Sequence, residues 1–329
     1  MIRRWKSPLE LGPATREAYG RALAELGEEN PRIVVLDADL SKSTYTGLFG
    51  KKFKDRFFNV GIAEANMCSI AAGLAAGGFI PFASSFASFL MCKGYEQLRV
   101  CCAYMEFNVN FVGSHGGISL GEDGPSQESI EDIGLACCLP GFTVAVPADD
   151  VATAALVRAA AEHYGPVYMR VGRPRVPKIY GPGERFSFGR AKTLSDGSDV
   201  TVIANGLMVA VACQAAEVAE RRGIDVRVID CHTAKPLDEA TIEMAAAETG
   251  AIVVAEEHLS RSGLGSLIAQ AVTRRHPVPM EFVGIEDTFA ESGAPEEILR
   301  AYGLTTEHIL GAVDRVLTRK AKGAAVVAQ

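Results

Sequence analysis

The chain contains 329 residues, enough for roughly two domains at the usual ~100–200 residues each. Its 33 basic and 40 acidic residues give a net charge of −7 without a basic block, which argues against binding to a nucleic-acid backbone. With 48% hydrophobic and 22% charged residues, the composition also excludes a chain that is disordered at rest.

The N-terminal segment begins with basic side chains but contains no apolar stretch followed by a small-residue cleavage site. We therefore expect no secretory signal and a cytoplasmic protein. The eight cysteines lack the paired spacing that suits zinc, so the sequence predicts no metal site of that kind.

Short β-branched runs alternate with helical patterns along the first half of the chain. The helical patterns predict helices at 15–26, 64–76, 86–104 and 149–163. The β-branched runs predict buried strands at 33–36, 108–112, 143–146 and 167–171. Strands separated by helices at this spacing form a parallel sheet that is covered on both faces.

The second half repeats the alternation. It predicts strands at 200–204, 226–229, 251–255 and 281–285, with helices at 208–222, 238–248 and 264–274 between them. The fold class is therefore α/β, with two consecutive domains that each contain a mainly parallel sheet flanked by helices. We place the domains at 8–172 and 190–320, a proline-rich linker at 173–189 and a flexible tail at 321–329.

An uncharged stretch of 28 residues separates Glu64 from Lys93, which is longer than the ~20 residues that cross a bilayer. Its residues are mainly Ala, Gly and Ser, and Gly77, Gly78 and Pro81 interrupt it. Such residues contribute little transfer free energy, so a membrane span is not expected. The stretch instead predicts a tightly packed helix, a short strand and a second helix.

A glycine-rich segment, SHGGISLGEDGPSQESIED at 114–132, predicts a long loop. By itself His115 could be a core or capping histidine, and Glu122 and Asp123 could be solvated. Their clustering on one loop of more than ~12 residues favours a functional role, and the glycines would allow a ligand to approach the backbone closely. Arg170 and Arg173 follow a strand and suit a phosphate, although an exposed surface pair is an equal alternative.

Glu64 lies in NVGIAEANM, at the start of a helix that otherwise buries small and apolar residues. Burial favours the neutral carboxylic acid, which can donate a hydrogen bond near neutral pH. Alternatively, Glu64 is a first-turn acid that the helix dipole stabilises. The residues alone leave both interpretations open.

Seven segments in order resemble the transketolase family. RFFNVGIAEANM, GGFIPFASSFASFL, YEQLR, VGSHGGISLGEDGPSQESIED and AVPAD resemble its pyrimidine-binding domain, and DCHTAKPLD and VVAEEHLSRSGLGS resemble its C-terminal domain. The resemblance runs from about residue 12 to about residue 316. It implies a thiamine-diphosphate enzyme of carbohydrate metabolism that transfers a two-carbon ketol unit from a ketose to an aldose.

The resemblance also implies roles for individual residues. Glu64 matches the glutamate that hydrogen-bonds the aminopyrimidine ring and activates the cofactor, and His115 is a second catalytic candidate. Phe86 and Phe89 match ring-stacking positions and Asp39 a position near the cofactor, whereas Cys92 replaces a further aromatic residue. The implied substrate-binding residues are Arg16, Ser43, His115, Asp123, Gln127 and Arg173.

Gln127 departs from the family pattern, which has a histidine in the corresponding GEDGP run. A glutamine can hydrogen-bond a sugar hydroxyl but cannot become a cation or a general acid. The substitution suggests a modified sugar as substrate.

The family binds Mg²⁺ and the cofactor's diphosphate through a Gly-Asp-Gly run and a later asparagine, which this sequence lacks. The resemblance therefore implies an N-terminal partner subunit, an active site at the interface and an α₂β₂ heterotetramer. Three alternatives remain. The chain could be the β subunit of a 2-oxoacid dehydrogenase decarboxylase, a fragment of a 1-deoxyxylulose-5-phosphate synthase, or a non-catalytic scaffold subunit.

Overall fold

The computed structural model describes Trp5 and residues 8–327. The helices are α1 (Thr15–Glu29), α2 (Gly47–Lys52), α3 (Glu64–Ala76), α4 (Ala87–Gln97), α5 (Asp132–Cys138), α6 (Asp150–Glu162), α7 (Met208–Arg221), α8 (Glu239–Thr249), α9 (Leu264–Arg275), α10 (Pro295–Ala301) and α11 (Thr306–Val327). The strands are β1 (Leu11–Ala14), β2 (Ile33–Asp37), β3 (Phe57–Asn59), β4 (Ile80–Phe86), β5 (Asn110–Ser114), β6 (Thr143–Ala145), β7 (Val167–Arg170), β8 (Arg175–Pro177), β9 (Lys192–Ser195), β10 (Val200–Ala204), β11 (Val226–Asp230), β12 (Thr233–Lys235), β13 (Ile252–Leu259) and β14 (Met280–Ile285).

Two mainly parallel sheets organise the chain, which confirms the predicted α/β class. The first has the order β12-β6-β7-β5-β4-β2-β3, and only its edge strand β12 runs antiparallel. The second has the order β14-β13-β10-β11-β9, in which only β9 runs antiparallel. Their β-branched central strands are buried on both faces, as expected for parallel sheets covered by helices.

The uncharged stretch folds as helix α3, strand β4 and helix α4, in the predicted order. All seven residues of β4 are buried, because this strand lies between β2 and β5 in the middle of the sheet. Phe86 ends the strand in an extended conformation, so the second helix begins one residue later than predicted. This helix then continues as a π-helical segment at Leu98–Ala103. Within the described residues, no helix combines the length and apolar character needed to cross a membrane.

The two halves are joined by more than the expected linker. Strand β8 lies inside 173–189 and pairs with β1. Strand β12 follows the second half's β11 but pairs with β6 of the first sheet. Lys235 of β12 also donates hydrogen bonds to two carbonyl groups at the end of α5. The second domain is therefore anchored to the first through strand pairing, and α11 extends to Val327, into the region expected to be a tail.

Candidate active site

The candidate site lies along the carboxyl edge of the first sheet. Strand β2 leads into the loop that carries Ser43, β4 ends at Phe86, β5 leads to His115, and β7 leads to Arg173. Parallel strands direct their carboxyl ends to one edge, where open α/β sheets bind ligands. The fold thus brings together residues that are far apart in sequence.

Glu64 begins helix α3 and is 2% exposed. Its Oε1 accepts a hydrogen bond of 3.0 Å from the Ser85 hydroxyl, and its Oε2 lies 3.6 Å from Lys93 Nζ. Lys93 is half exposed, so this ion pair joins a buried carboxylate to a cation at the protein surface. Sequence patterns alone do not identify Ser85 or Lys93 as neighbours of Glu64, although Lys93 marks the end of the uncharged stretch.

Two aromatic rings flank this carboxylate region. Phe86 and Phe89 stack with centroids 5.5 Å apart, and Lys93 Nζ lies 4.2 Å from the centroid of Phe89. The other neighbour of Phe86 is the imidazole of His115, at a centroid distance of 3.9 Å. The ring of Phe86 therefore connects the carboxylate side of the site with the histidine side.

His115 forms a cluster with two predicted substrate-binding residues. Arg16 Nη1 donates to the Ser43 carbonyl at 2.9 Å and lies 3.2 Å from His115 Nε2. The guanidinium carbon of Arg16 also lies 5.5 Å from the ring centroid of Tyr45. Arg16 Nε is buried and has no hydrogen-bond partner among the described residues, so the guanidinium keeps a free donor.

The chemistry of this contact fixes the state of His115. Arginine only donates, so Nε2 accepts and Nδ1 carries the proton, which it donates to the Ser114 hydroxyl at 2.8 Å. Burial, together with the positive charges of Arg16 and Arg173, lowers the pKa of His115 to about 3. The imidazole is therefore neutral and orients Arg16, whereas the two arginines supply the positive charge.

Asp37 shapes the loop that carries Ser43, and the sequence analysis missed it. Its buried carboxylate accepts hydrogen bonds from the hydroxyls of Thr44 and Thr46 and from the backbone of Leu40. A carboxylate with several hydrogen bonds of this kind rigidifies a loop. An aspartate that follows four apolar strand residues and precedes two threonines was the signal available in the sequence.

The glycine-rich loop closes over the cluster. Arg173 donates to the Leu120 carbonyl and lies 2.5 Å from the Glu122 carboxylate. Arg173 and the exposed Asp123 both influence the pKa of Arg16, so all three lie within electrostatic range. At the end of the loop, the Gln127 carbonyl accepts a hydrogen bond from the Ser88 hydroxyl at the start of α4.

Two other residues considered in the sequence analysis, Asp39 and Cys92, are exposed. Asp39 is exposed and accepts a hydrogen bond of 2.9 Å from Asn59, at the end of the neighbouring strand β3. Cys92 is exposed, and its Sγ lies 3.7 Å from Glu131 Oε1. The part of the chain that the structure describes contains no group of three His, Cys, Asp or Glu side chains that could hold a metal ion.

Arg170 has a structural role. The sequence suggested either a phosphate-binding residue or an exposed surface residue at this position. It is 4% exposed, and its Nε lies 3.2 Å from the Asp132 carboxylate. Its two terminal nitrogens donate to the carbonyls of Glu257 and Ser129. A guanidinium with these contacts does not have the exposure of a surface residue, and its charge is already paired with Asp132.

Two of the loop glycines lie very close to side chains of the protein itself. A Cβ on Gly116 would lie 2.1 Å from Arg170 Nε, and one on Gly117 would lie 2.2 Å from the Glu257 carboxyl group. Gly117 in addition has φ +85°, which L side chains rarely adopt. At these two positions glycine allows a close approach of side chains of the protein itself.

Comparison with known proteins shows relatives along nearly the whole chain. Residues 12–178 match the family model for the transketolase pyrimidine-binding domain, and residues 189–309 match that for the transketolase C-terminal domain. A putative transketolase C-terminal section from Methanocaldococcus jannaschii is 41% identical over 297 residues, which is 89% of this chain and 93% of that protein. A 6-deoxy-6-sulfo-D-fructose transketolase subunit from a Clostridium species is 39% identical, over 93% of this chain and 95% of that subunit.

Human transketolase is 39% identical over 93% of this chain, but the chain spans only 49% of that protein. Among solved structures, a split-gene transketolase described as an inactive β4 tetramer superposes with a TM-score of 0.89. It is 48% identical and is covered over its full length, against 94% of this chain. The same two-domain arrangement therefore occurs both in separate subunits and within longer chains.

Proposed function

The chain belongs to the transketolase family, and we propose that it is the C-terminal subunit of a two-chain, thiamine-diphosphate-dependent transketolase. In this proposal, the assembled enzyme transfers a two-carbon ketol unit from a ketose to an aldose phosphate. The observation that carries the proposal is the 3.9 Å contact between Phe86 and His115. This contact connects Glu64 and the neighbouring aromatic rings with the histidine and the two arginines.

The carboxylate side fits the pyrimidine ring of the cofactor. Among the described residues, Lys93, at 3.6 Å, is the only ion-pair partner of Glu64 Oε2, so this oxygen can still form a hydrogen bond to a ring nitrogen. Phe86 and Phe89 would pack against the ring, and Asp39 lies at the same sheet edge. When bound, thiamine diphosphate supplies the carbon nucleophile that makes and breaks carbon–carbon bonds next to a ketone.

The cationic side would hold the anionic end of the sugar. Arg16 and Arg173 supply the charge, His115 orients Arg16, and Ser43 contributes through the carbonyl that fixes the guanidinium. Arginine is suited to phosphate and similar oxyanions because its planar donors match their oxygens. Asp123 and Gln127, on the loop above this cluster, would bind sugar hydroxyl groups.

The charge of the cluster suits phosphate and sulfonate groups equally. The Clostridium relative is named for 6-deoxy-6-sulfo-D-fructose, a ketose that carries a sulfonate. We therefore propose that the ketose donor is either a sugar phosphate or a sugar modified at the same end. Gln127 is consistent with a modified donor because it keeps the hydrogen bonding of the family histidine but not its charge.

Mg²⁺ and the diphosphate would be held mainly by an N-terminal partner subunit. The 329 residues contain no Gly-Asp-Gly run, and two relatives of this length are named as a C-terminal section and a subunit. The solved relative is described as inactive in its β4 form. We propose an α₂β₂ heterotetramer in which both kinds of subunit contribute to the site.

Reconstitution tests the proposal. The chain is mixed with a candidate N-terminal subunit that carries the Gly-Asp-Gly run, and ketol transfer is measured with phosphorylated and sulfonated ketoses. We expect transfer only from the mixture, and thiamine diphosphate binding to the chain alone weaker than micromolar by isothermal titration. Decarboxylation of a 2-oxoacid by the mixture, or assembly without either reaction, would instead support one of the alternative roles.

A further inference from the structure

The glycine-rich loop leaves the first sheet after β5, and backbone hydrogen bonds close it at its base. Gly117 N donates to the Ser129 carbonyl at 2.7 Å, and Ser129 N donates back to the Gly117 carbonyl at 3.3 Å. These two hydrogen bonds define the base of the loop. His115 lies just before the base, and Asp123 lies on the loop beyond it. The orientation of the base therefore affects every substrate-binding candidate on the loop.

A residue of the second domain reaches this base. Glu257 lies on β13 and is 7% exposed, and its Oε1 accepts a hydrogen bond of 2.6 Å from Ser119 N. The carboxyl group lies so close to Gly117 that a Cβ there would be 2.2 Å from it. The Glu257 side chain thus contacts one side of the loop base directly.

The other side of the base is tied to the same residue through Arg170. Its Nη2 donates to the Ser129 carbonyl at 2.6 Å, and its Nη1 donates to the backbone carbonyl of Glu257 at 2.8 Å. Two residues further along β13, Leu259 N donates to the Ile130 carbonyl at 2.9 Å. Both sides of the loop base are therefore fixed to the end of one strand of the second domain.

The far part of the loop contacts the second domain as well. A Cβ on Gly121 would lie 2.9 Å from the Gly293 carbonyl, and one on Gly124 would lie 2.2 Å from the Ser292 hydroxyl. Arg173 is attached to the loop because it donates hydrogen bonds to the Leu120 carbonyl and to the Glu122 carboxylate. A shift of the loop would consequently move one of the two arginines of the cationic cluster.

We propose that Glu257 is a positioning residue through which the second domain sets the geometry of the cluster formed by Arg16, His115 and Arg173. The proposal rests on the proposed function, since it assigns sugar-binding roles to His115, Asp123 and Arg173. The second domain would thereby affect substrate affinity through the contact of Glu257 with the loop.

Hydrogen exchange and phosphate titration test the proposal on the full chain assembled with its N-terminal subunit. Glu257→Ala removes the acceptor for Ser119 N, whereas Glu257→Gln keeps an oxygen acceptor of the same length. Exchange is measured for amides 116–130, with β10 (Val200–Ala204) as reference, and inorganic phosphate is the probe for the cluster. Glu243→Ala, an exposed change on α8, is the matched control.

In Glu257→Ala we expect exchange in 116–130 to rise at least ~10-fold, β10 to be unchanged, and the phosphate Kd to rise ~10-fold or more. Glu257→Gln should restore both values to within ~3-fold of the parent, because the hydrogen bond to Ser119 is kept. Loop exchange and phosphate affinity that stay unchanged in a folded Glu257→Ala protein would overturn the proposal.

If Glu257→Ala does not fold, Glu257→Asp replaces it in the experiment. Aspartate keeps the carboxylate, but its side chain is one methylene group shorter, so the acceptor lies further from Ser119 N. It should loosen the loop in the same way, and an unchanged loop in this variant counts equally against the proposal. Failure of the proposed function would be recognised separately. A parent assembly without ketol transfer would refute that function, and the exchange data would still decide whether Glu257 holds the loop.

Discussion

Arg16 Nη1 lies 3.2 Å from His115 Nε2, a contact between residues 99 positions apart in the sequence. Because arginine can only donate, this contact makes His115 a neutral acceptor that holds the guanidinium. The positive charges of this cluster are consequently those of Arg16 and Arg173.

Arg16→Gln should weaken binding of the anionic sugar. Loss of a charged hydrogen bond of about 1.5–3 kcal/mol corresponds to a ~10–150-fold rise in the Kd or KM for a phosphorylated substrate. Thermal stability should change little, because the side chain is only partly buried. Arg21→Gln, on the exposed face of the same helix, is the control and should leave both values unchanged. Equal effects of the two substitutions would contradict a binding role for Arg16.

His115 should make the folded protein less stable as the pH falls. Its pKa is lowered to about 3 in the folded state, whereas the unfolded chain takes up a proton near the ordinary value of 6.5. The unfolded state therefore binds more protons between about pH 6.5 and 3, and the free energy of unfolding decreases through that window. In His115→Gln this contribution should be absent. Urea unfolding of both proteins from pH 4 to 8 measures it, and parallel profiles would disprove the assignment.

Glu64→Gln should abolish ketol transfer without preventing assembly. The amide keeps the shape and the Ser85 contact but cannot exchange a proton with a pyrimidine nitrogen, so we expect kcat to fall ~100-fold or more. Assembly is checked by light scattering and turnover by product formation. Glu96→Gln, an exposed change on α4, is the control. Turnover within a few-fold of the parent would remove Glu64 from the proposed catalytic role.

Glu128 should have the opposite pH dependence to His115. It is 5% exposed, and no hydrogen-bond partner for either carboxylate oxygen exists among the described residues. Burial and the nearby Glu257 raise its pKa to about 7. The folded state then binds more protons than the unfolded state between about pH 4.5 and 7, so stability decreases as the pH rises through this window. Glu128→Gln should remove that decrease, and a gain in stability at pH 8 but not at pH 4.5 would identify it in urea titrations.

Arg170→Gln should mainly lower the stability of the protein, whereas Arg173→Gln should mainly lower its affinity for the substrate. Arg170→Gln leaves Asp132 buried without its cation and should lower the free energy of unfolding by about 3–5 kcal/mol. Arg173→Gln, at a side chain that is 33% exposed, should mainly raise the KM for the anionic sugar. Arg158→Gln breaks an exposed ion pair with Glu29 and should cost at most about 1 kcal/mol. An Arg170→Gln protein as stable as the parent would show that the buried pair with Asp132 does not stabilise the fold.

The amino-acid sequence by itself determined the α/β class and most element positions. Helix α3 begins and ends at the predicted residues, Glu64 and Ala76, since the periodic burial of small side chains is a local property of the sequence. The residue types of the candidate site were also recognisable. Glu64 stood out at the edge of an uncharged stretch, and His115 stood out in a glycine-rich loop.

Only the tertiary structure decided which of these residues meet and in what chemical state. The neutral state of His115 depends on the approach of Arg16, and the role of Arg170 depends on Asp132 and on the carbonyl of Glu257. Contacts across such distances are set by the order of strands in the sheets, which a local pattern of residues does not encode. For the same reason, the sequence does not indicate that Glu257 of the second domain lies against Gly117 of the loop.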